Sequence, residues 1–466
     1  MRQYSCRTTG ISPQIIAEAI AAALCLTVIF VILHLMPGAS GAAVCAGTIF
    51  CAGGYWVYRR SAAYTTAGGI TLMIAIAAMI AGVIANVNYF TAEAGFSDAN
   101  PYLQNTDANR VWDNALAFYN GSWRNDTTVW NLYGAVISLT FIPAGPSISA
   151  ALMISVACGT VTLILTALTA KRLTGDNRIS TVSMIAVACV CYLMASATIL
   201  VKDIWVVMCF ATAAYGLCEW RRSSFLWVLA AIAMLSLSRK NMVLAIALGV
   251  AITAIPYPAG QRKAQLMKRS LLIIIGIALI LIAQSATISP TITGQLAGSE
   301  DYVMNRNDAR LAFFDIVGAE TNTDPLRKIL FFPLLALTQF LIPLPWDFAR
   351  DTIFGPTLAY AHFGYPWYLF GAIFLYYLAA AKRKAGNRML LAVTLWGAIT
   401  WFIPVYVAMG TVSRYALCAV PLMAPAVGAV LVRCHRRRSL WIWLVAYAVI
   451  IAAGLLFVYN LQHRFM

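Results

Sequence analysis

The sequence predicts an all-α polytopic membrane protein, and three observations support this. Apolar runs of about 20 residues recur along the chain, each long enough to cross roughly 30 Å of hydrocarbon as a helix. Hydrophobic residues make up 61% of the 466 residues and charged residues only 11%, whereas soluble proteins carry roughly 25% charged residues. Basic residues cluster between the apolar runs, as they do in cytoplasmic loops. A β-barrel would instead show short segments of alternating polarity.

The basic clusters predict the topology. They lie at Arg59–Arg60, Lys171–Arg172, Arg221–Arg222, 261–269, 382–388 and 433–438. With these clusters and the N-terminus in the cytoplasm, the chain has about 13 transmembrane helices and an external C-terminus. The first apolar run is too long for a signal-peptide core, so we interpret it as a retained span. The predicted spans are 15–36, 42–58, 64–90, 146–170, 180–199, 204–219, 224–237, 242–257, 270–289, 364–381, 389–409, 415–432 and 440–459.

Residues 1–466 are therefore predicted to form a single transmembrane domain with two long outer loops. The first outer loop, 91–145, contains the stretch NTDANRVWDNALAFYNGSW, which is typical of an amphipathic helix on the outer surface. The second, 290–363, contains an apolar segment at 329–345 with three prolines. If that segment crossed the membrane, the basic cluster 382–388 would lie outside. We therefore predict a re-entrant or interfacial helix there.

Several classes of function are disfavoured. The net charge of +16 comes from cations between apolar runs, so it does not indicate nucleic-acid binding. The 11 cysteines fall mostly within apolar runs and form no disulfide framework. The four histidines are scattered, and the chain has no Walker A, HExxH or GxSxG motif. No metal and no cofactor are therefore predicted.

The first candidate site residues are carboxylates of the outer loop 91–145. Asp107 or Asp98 could stand at the mouth of a membrane cavity, and Asp113 lies nearby. The alternative is an ordinary solvated loop whose aromatic residues form an interfacial belt. Those aromatic residues are Trp112, Phe118, Tyr119 and Trp123.

The second group lies in short outer turns. Lys202 and Asp203 form an ionisable pair between two spans, and Arg239 and Lys240 place cations against the positive-inside bias. An anionic ligand such as a lipid-linked phosphate would explain such cations, because Arg offers a bidentate fork to phosphate oxygens. The alternatives are side chains that snorkel to the interface, or an Arg239 that only pairs with Asp203.

Two further arginines belong to the same prediction. Arg350 follows the re-entrant segment, in PLPWDFARD, and Arg414 begins a span, in MGTVSRYALCAVP. The alternative for Arg350 is a local ion pair at a solvated helix end. The alternative for Arg414 is an interfacial anchor.

The order of these motifs resembles the GT-C superfamily of polytopic membrane glycosyltransferases, in particular bacterial members that act in polysaccharide and cell-envelope synthesis. The resemblance covers roughly residues 64–432. The motifs, in chain order, are Asp107 with Trp112, Ala115, Gly121 and Trp123; Ser196 with Lys202 and Asp203; SLSR ending at Arg239; PLPW from Pro343 to Trp346; and GTVSRY from Gly410 to Tyr415.

The resemblance implies transfer of a sugar from a polyprenyl-phosphate carrier to a glycan or lipid acceptor. The reaction would take place on the outer face of the cytoplasmic (inner) membrane. Asp107 would then be the general base, while Arg239, Lys202 and Arg414 would hold the carrier phosphate. Two extra spans precede Asp107 compared with many members, which leaves Asp98 and Asp113 open as the base. The partners are the lipid-linked donor, the acceptor and membrane lipids.

Two other functions stay open at this point. An O-antigen-type polymerase or ligase would rely on arginines of the outer loops, here Arg306 and Arg310. A lipid or glycan transporter would need charged residues near the midplane of its spans. The predicted spans are nearly free of such residues, which favours surface chemistry.

Overall fold

The computed structural model describes residues 12–36, 38–92, 94–103, 106–122, 131–143, 145–218, 222–239, 242–255, 365–381, 388–408 and 417–464. These residues are mostly helical, and the helix ends follow ordinary capping chemistry. The side chains of Ser40, Thr65 and Ser147 each accept a backbone N–H of the helix that they begin. Gly175 ends another helix at a φ of 71°, which glycine adopts without strain.

The helices are numbered in chain order. They are α1 Pro13–Leu35, α2 Gly41–Arg59, α3 Thr66–Thr91, α4 Thr106–Tyr119, α5 Leu132–Phe141, α6 Ile148–Thr174, α7 Asn177–Ala188, α8 Cys191–Ser196, α9 Asp203–Cys218, α10 Arg222–Ser236, α11 Val243–Ala254, α12 Tyr365–Tyr376, α13 Arg388–Ala408, α14 Val420–Cys434 and α15 Arg438–Arg464. A π-helical turn, Tyr377–Ala381, extends α12, and a 3₁₀ turn, Leu417–Ala419, precedes α14.

The prediction of an all-α membrane protein is confirmed for the residues that the structure describes. Six of the described helices are long and apolar enough to cross a membrane, and others are apolar but shorter. Every predicted span within the described residues coincides with a helix, except that 180–199 is divided between α7 and α8. The span 270–289 and the segment 329–345 lie outside the described residues, so the total of 13 spans stays a prediction.

Contacts between helices fix their relative directions. Gly47 lies against Met153 and Gly54 against Thr160, so α2 and α6 run parallel. Thr65 Oγ1 is 2.6 Å from Thr181 Oγ1, at the beginnings of α3 and α7. Near the end of α3, Asn86 Nδ2 donates to the Thr198 carbonyl at 2.7 Å, just beyond α8. Thus α3 runs parallel to α7 and α8.

Helix α9 runs antiparallel to α10. Asp203, the first residue of α9, pairs with Arg239 just beyond α10, whereas Tyr215 packs on Trp227 near the other ends of the two helices. The bundle therefore has two ends. We call them the Asp203 end, which also holds Asp98, and the Arg172 end, where α6 terminates. This arrangement agrees with the alternation of spans predicted from the basic clusters.

Helix α14 lies at the centre of the bundle. Its residues from Val420 to Val430 are all buried, and it packs against α6, α7, α9, α12 and α13. In contrast, α1 and α15 expose many large apolar side chains, as expected for helices that face lipid. The burial pattern thus separates an inner bundle from peripheral helices.

A small residue allows α14 and α7 to approach closely. A Cβ added at Gly428 would lie 2.9 Å from the Ile179 carbonyl oxygen and 3.1 Å from the Ser183 backbone nitrogen. Backbone atoms cannot move aside as a flexible side chain can. Gly428→Ala is therefore expected to lower the free energy of unfolding by about 1–3 kcal/mol, the usual cost of overpacking. Thermal unfolding of the solubilised full-length protein would measure this.

Gly53 in α2 provides a matched control for Gly428. Among the described residues, no atom outside the local backbone of α2 lies within 4 Å of a Cβ added at Gly53, and alanine is the better helix former. Gly53→Ala should therefore leave stability unchanged or slightly raised. Equal melting temperatures for the two alanine variants would contradict the packing assigned to Gly428.

Candidate functional site

A buried ion pair occupies the Asp203 end of the bundle. Arg239 Nη1 lies 2.7 Å from Asp203 Oδ1, and the two side chains are only 18% and 6% exposed. Asp203 is also the first residue of α9, where the helix dipole favours a negative charge. Both residues are predicted from the sequence to bind substrate, and the structure shows that they are paired with each other.

Local backbone structure brings the two side chains together. The chain turns between α8 and α9, where the Val201 N–H donates to the Ile199 carbonyl at 2.9 Å. Beyond α10, the Arg239 N–H donates to the Leu235 carbonyl at 2.6 Å and keeps its side chain beside the bundle. The antiparallel packing of α9 and α10 then places the two turns next to each other.

Helix α5 connects the first outer loop to this ion pair. The Leu132 N–H donates to the Leu237 carbonyl at 3.0 Å, two residues before Arg239. The Tyr133 ring lies 5.6 Å from the Trp205 ring, two residues after Asp203. Tyr133 Oη is also 2.7 Å from Ser155 Oγ in α6. Residues of the loop 91–145 are therefore packed against both turns that carry the pair.

Helix α4 is amphipathic and packs on α5. Its buried face consists of Ala108, Val111, Trp112 and Ala115, which recur at helical spacing. The Trp112 ring lies 5.4 Å from the Phe141 ring in α5. The Trp112 ring is therefore used in helix–helix packing. Trp123 lies outside the described residues.

The candidate carboxylates of α4 occupy different faces. Asp113 is exposed and lies on the side opposite the buried face. Asp107 lies in the first turn and is half-buried. It shares a helix face with Asn114, seven residues on, whose Cβ contacts Gly134 of α5. Of the two, Asp107 is on the side of α4 that faces α5.

Asp98 is engaged in capping helix α6. Ser147 Oγ donates to Asp98 Oδ2 at 2.5 Å, and the Ser149 N–H donates to Asp98 Oδ1 at 3.0 Å. Ser149 Oγ also donates to Oδ1, and the Ile148 N–H donates to the Asp98 carbonyl at 2.8 Å. Asp98 thus satisfies N–H groups at the start of α6. Both carboxylate oxygens of Asp98 are used in this way.

The Asp98 network predicts a structural effect. Asp98→Asn replaces one acceptor oxygen by a donor and removes the charge beside the N-terminus of α6. Hydrogen bonds to charged groups contribute about 1.5–3 kcal/mol each, so we expect a clearly lower melting temperature. Asp113→Asn makes the same chemical change at an exposed position and should leave the melting temperature unchanged. An unaltered melting temperature for Asp98→Asn would contradict the capping role.

The other predicted cations differ in how far the structure describes them. Lys202 is half-buried and immediately precedes Asp203. Lys240, Arg350 and Arg414 lie outside the described residues. The 3₁₀ turn Leu417–Ala419, three positions after Arg414 in sequence, packs against α9.

Two features of this end of the bundle are not predicted from the sequence. The first is the start of α5, where the Asn131 side chain accepts the Tyr133 N–H at 3.0 Å; an Asn before the apolar run LYGAVISLTF was the available signal. The second is Trp205, whose buried indole N–H has no hydrogen-bond partner among the described residues. No sequence pattern indicates that.

No group of three His, Cys, Asp or Glu side chains able to hold a metal ion occurs in the part of the chain that the structure describes. Comparison with protein-family models and with curated proteins finds no match to this chain. The functional assignment therefore depends on the residues and their geometry.

Proposed function

We propose that the protein is a GT-C-type membrane glycosyltransferase that uses a polyprenyl-phosphate-linked sugar. One observation carries the proposal beyond the sequence. Helix α5 packs against the turns of Asp203 and Arg239, and it also carries α4, the helix of Asp107. A carboxylate and a cation needed for one reaction thus belong to elements at the same end of the bundle.

The proposed reaction is a displacement at the anomeric carbon of the donor sugar. Asp107 accepts the proton of the acceptor hydroxyl, whose oxygen forms the new bond to that carbon. The bond from the anomeric carbon to the carrier phosphate breaks, and its electron pair stays on the phosphate oxygen. Arg239, Lys202 and Arg414 stabilise this negative charge. Lys240 and Arg350 are proposed to bind the remainder of the substrates.

Asp203 has a positioning role in this proposal. Its carboxylate bonds one arm of the Arg239 guanidinium, and a guanidinium has five N–H donors. The pair therefore orients Arg239, whose guanidinium we propose to contact the carrier phosphate. We also propose the finer topology: about 13 spans, the Asp203 end on the outer face, and residence in the cytoplasmic membrane.

The described residues support surface chemistry over transport. Among them, the buried charged residues are Glu18 and Asp203. Asp203 begins α9, and Glu18 is paired with Arg59 at 3.4 Å near the opposite end of the bundle. A transporter would place such groups along a central pathway.

The leaving group offers a test that does not require knowledge of the sugar. Purified protein in vesicles would receive lipid-linked sugars extracted from its source cells, and mass spectrometry would follow the released carrier. We expect polyprenyl phosphate from the wild-type protein and none from Asp107→Asn. Release of polyprenyl diphosphate, lost in Arg310→Ala but kept in Asp107→Asn, would favour the polymerase or ligase. Arg306 and Arg310 lie outside the described residues.

A further inference from the structure

The turn between α14 and α15, at the Arg172 end, presents three consecutive arginines. Arg436, Arg437 and Arg438 are all exposed. None of the three has an ion-pair partner among the residues that the structure describes. The positive-inside rule accounts for basic residues at this end of the bundle. The rule does not explain which groups these side chains contact.

Several other cations at the same end are paired within the protein. Arg59 binds Glu18, and Arg60 stacks on Trp56 with its guanidinium carbon 3.8 Å from the ring centre. Lys171 Nζ donates to the Gly175 carbonyl at 2.7 Å. Arg172 donates to the Tyr215 carbonyl at 3.2 Å and stacks on that ring. Exposed cations such as Arg178 stand singly at this end, whereas the α14–α15 turn gathers three consecutive exposed arginines. This concentration of charge points to a ligand from outside.

The turn that carries them is held by its own hydrogen bonds. The Arg437 N–H donates to the Cys434 carbonyl at 2.9 Å, and the Leu440 N–H donates to the Arg437 carbonyl at 3.1 Å. Trp441 Nε1 donates to the His435 carbonyl at 3.0 Å. Cys434 and Leu440, on either side, are each 2% exposed. The guanidinium groups therefore project from a fixed backbone, which reduces the entropy lost on binding.

An apolar stripe continues directly from the arginines along α15. Trp441, Val445 and Val449 lie four residues apart on one helix face and are 59%, 64% and 63% exposed. At the other side of α15, Trp443 Nε1 donates to the Ala372 carbonyl at 2.9 Å and fixes the helix to α12. Cationic groups above a lipid-facing apolar stripe match a headgroup phosphate and its acyl chains.

We infer that the turn 435–438 and the stripe Trp441–Val445–Val449 form a binding site for an anionic phospholipid. The guanidinium groups hold the headgroup phosphate by charge-assisted hydrogen bonds. Trp441 lies at headgroup depth, where its indole ring suits the interface. The acyl chains cover the stripe. The site requires only that α15 lies in a membrane, so it is independent of the proposed transferase reaction.

Native mass spectrometry of the full-length protein with added phosphatidylglycerol tests the inference, with phosphatidylcholine and inorganic phosphate as comparison ligands. The variant R436Q/R437Q/R438Q should bind phosphatidylglycerol about fivefold more weakly for each charge removed. The variant R436K/R437K/R438K keeps the charge, preserves topology and should retain most of the binding. Phosphatidylcholine should bind all three proteins weakly and alike.

Two results would overturn the inference. One is equal affinity of the glutamine variant and the wild-type protein for phosphatidylglycerol. The other is full displacement of phosphatidylglycerol by inorganic phosphate, which would show that the turn binds free anions and gains nothing from the acyl chains. Since the three side chains are exposed, the glutamine variant should melt at the wild-type temperature, which the same samples can verify.

Discussion

Asp107→Asn is expected to reduce sugar transfer by about 10²- to 10⁴-fold, the usual contribution of a positioned general base. Asparagine keeps the size of the side chain but cannot accept the proton of an acceptor hydroxyl. Asp107 is half-buried in the first turn of α4, so the substitution should leave the packing of Ala108, Val111 and Trp112 intact. The rate of polyprenyl phosphate release would measure the effect.

Asp113→Asn is the matched comparison for this prediction. It makes the same chemical change on the same helix, on the exposed side away from α5. We expect its rate of transfer to equal that of the wild-type protein. Loss of transfer in Asp113→Asn with normal transfer in Asp107→Asn would assign the base to Asp113. Normal transfer in both variants, with both proteins correctly inserted, would reject a base in α4.

The Asp203–Arg239 pair gives the largest expected effect on stability. Removal of one partner from a buried pair leaves an uncompensated charge, at a typical cost of about 3–5 kcal/mol. The Asp203 side chain is 6% exposed and that of Arg239 is 18% exposed. We therefore expect Asp203→Leu, which removes the carboxylate bonded to the arginine, and Arg239→Met, which removes the cation bonded to the more deeply buried carboxylate, both to lower the melting temperature strongly.

The double variant D203L/R239M separates structure from chemistry. Apolar residues of similar volume commonly replace a buried ion pair with little loss of stability, so the double variant should melt close to the wild-type temperature. It should nevertheless fail to transfer sugar, because the phosphate loses its cation. Additive losses of stability in the double variant would contradict the pairing. Normal transfer by a stable double variant would restrict the pair to a structural role.

The sequence predicted the helical membrane architecture correctly because that information is local. The length of an apolar run decides whether it can span hydrocarbon, and each predicted span within the described residues coincides with a helix or, for 180–199, with two. The break between α7 and α8 was missed because no proline or glycine marks it: the Cys189 N–H donates to the Ile185 carbonyl and the helix then restarts.

The candidate site could be predicted only in part. Asp203 and Arg239 stood out because ionisable residues are costly at span ends. Their direct bond depends on the antiparallel packing of α9 on α10, which no local pattern specifies. The roles of Asp98 and Trp112 were also undetermined, since a carboxylate near a helix start or an aromatic residue in a polar loop suits several environments.

By itself, then, the sequence determined the composition, the lengths of the apolar runs and the distribution of basic clusters, and through them the fold class. Only the tertiary structure decided which polar groups use each other. In the tertiary structure, Asp98 accepts hydrogen bonds from Ser147 and Ser149 at the start of α6. One backbone hydrogen bond joins α5 to Leu237. The physical reason is that the two kinds of interaction depend on different separations along the chain. Hydrophobic burial follows local composition, whereas hydrogen bonds and ion pairs require partners within about 3 Å, which distant parts of the chain supply.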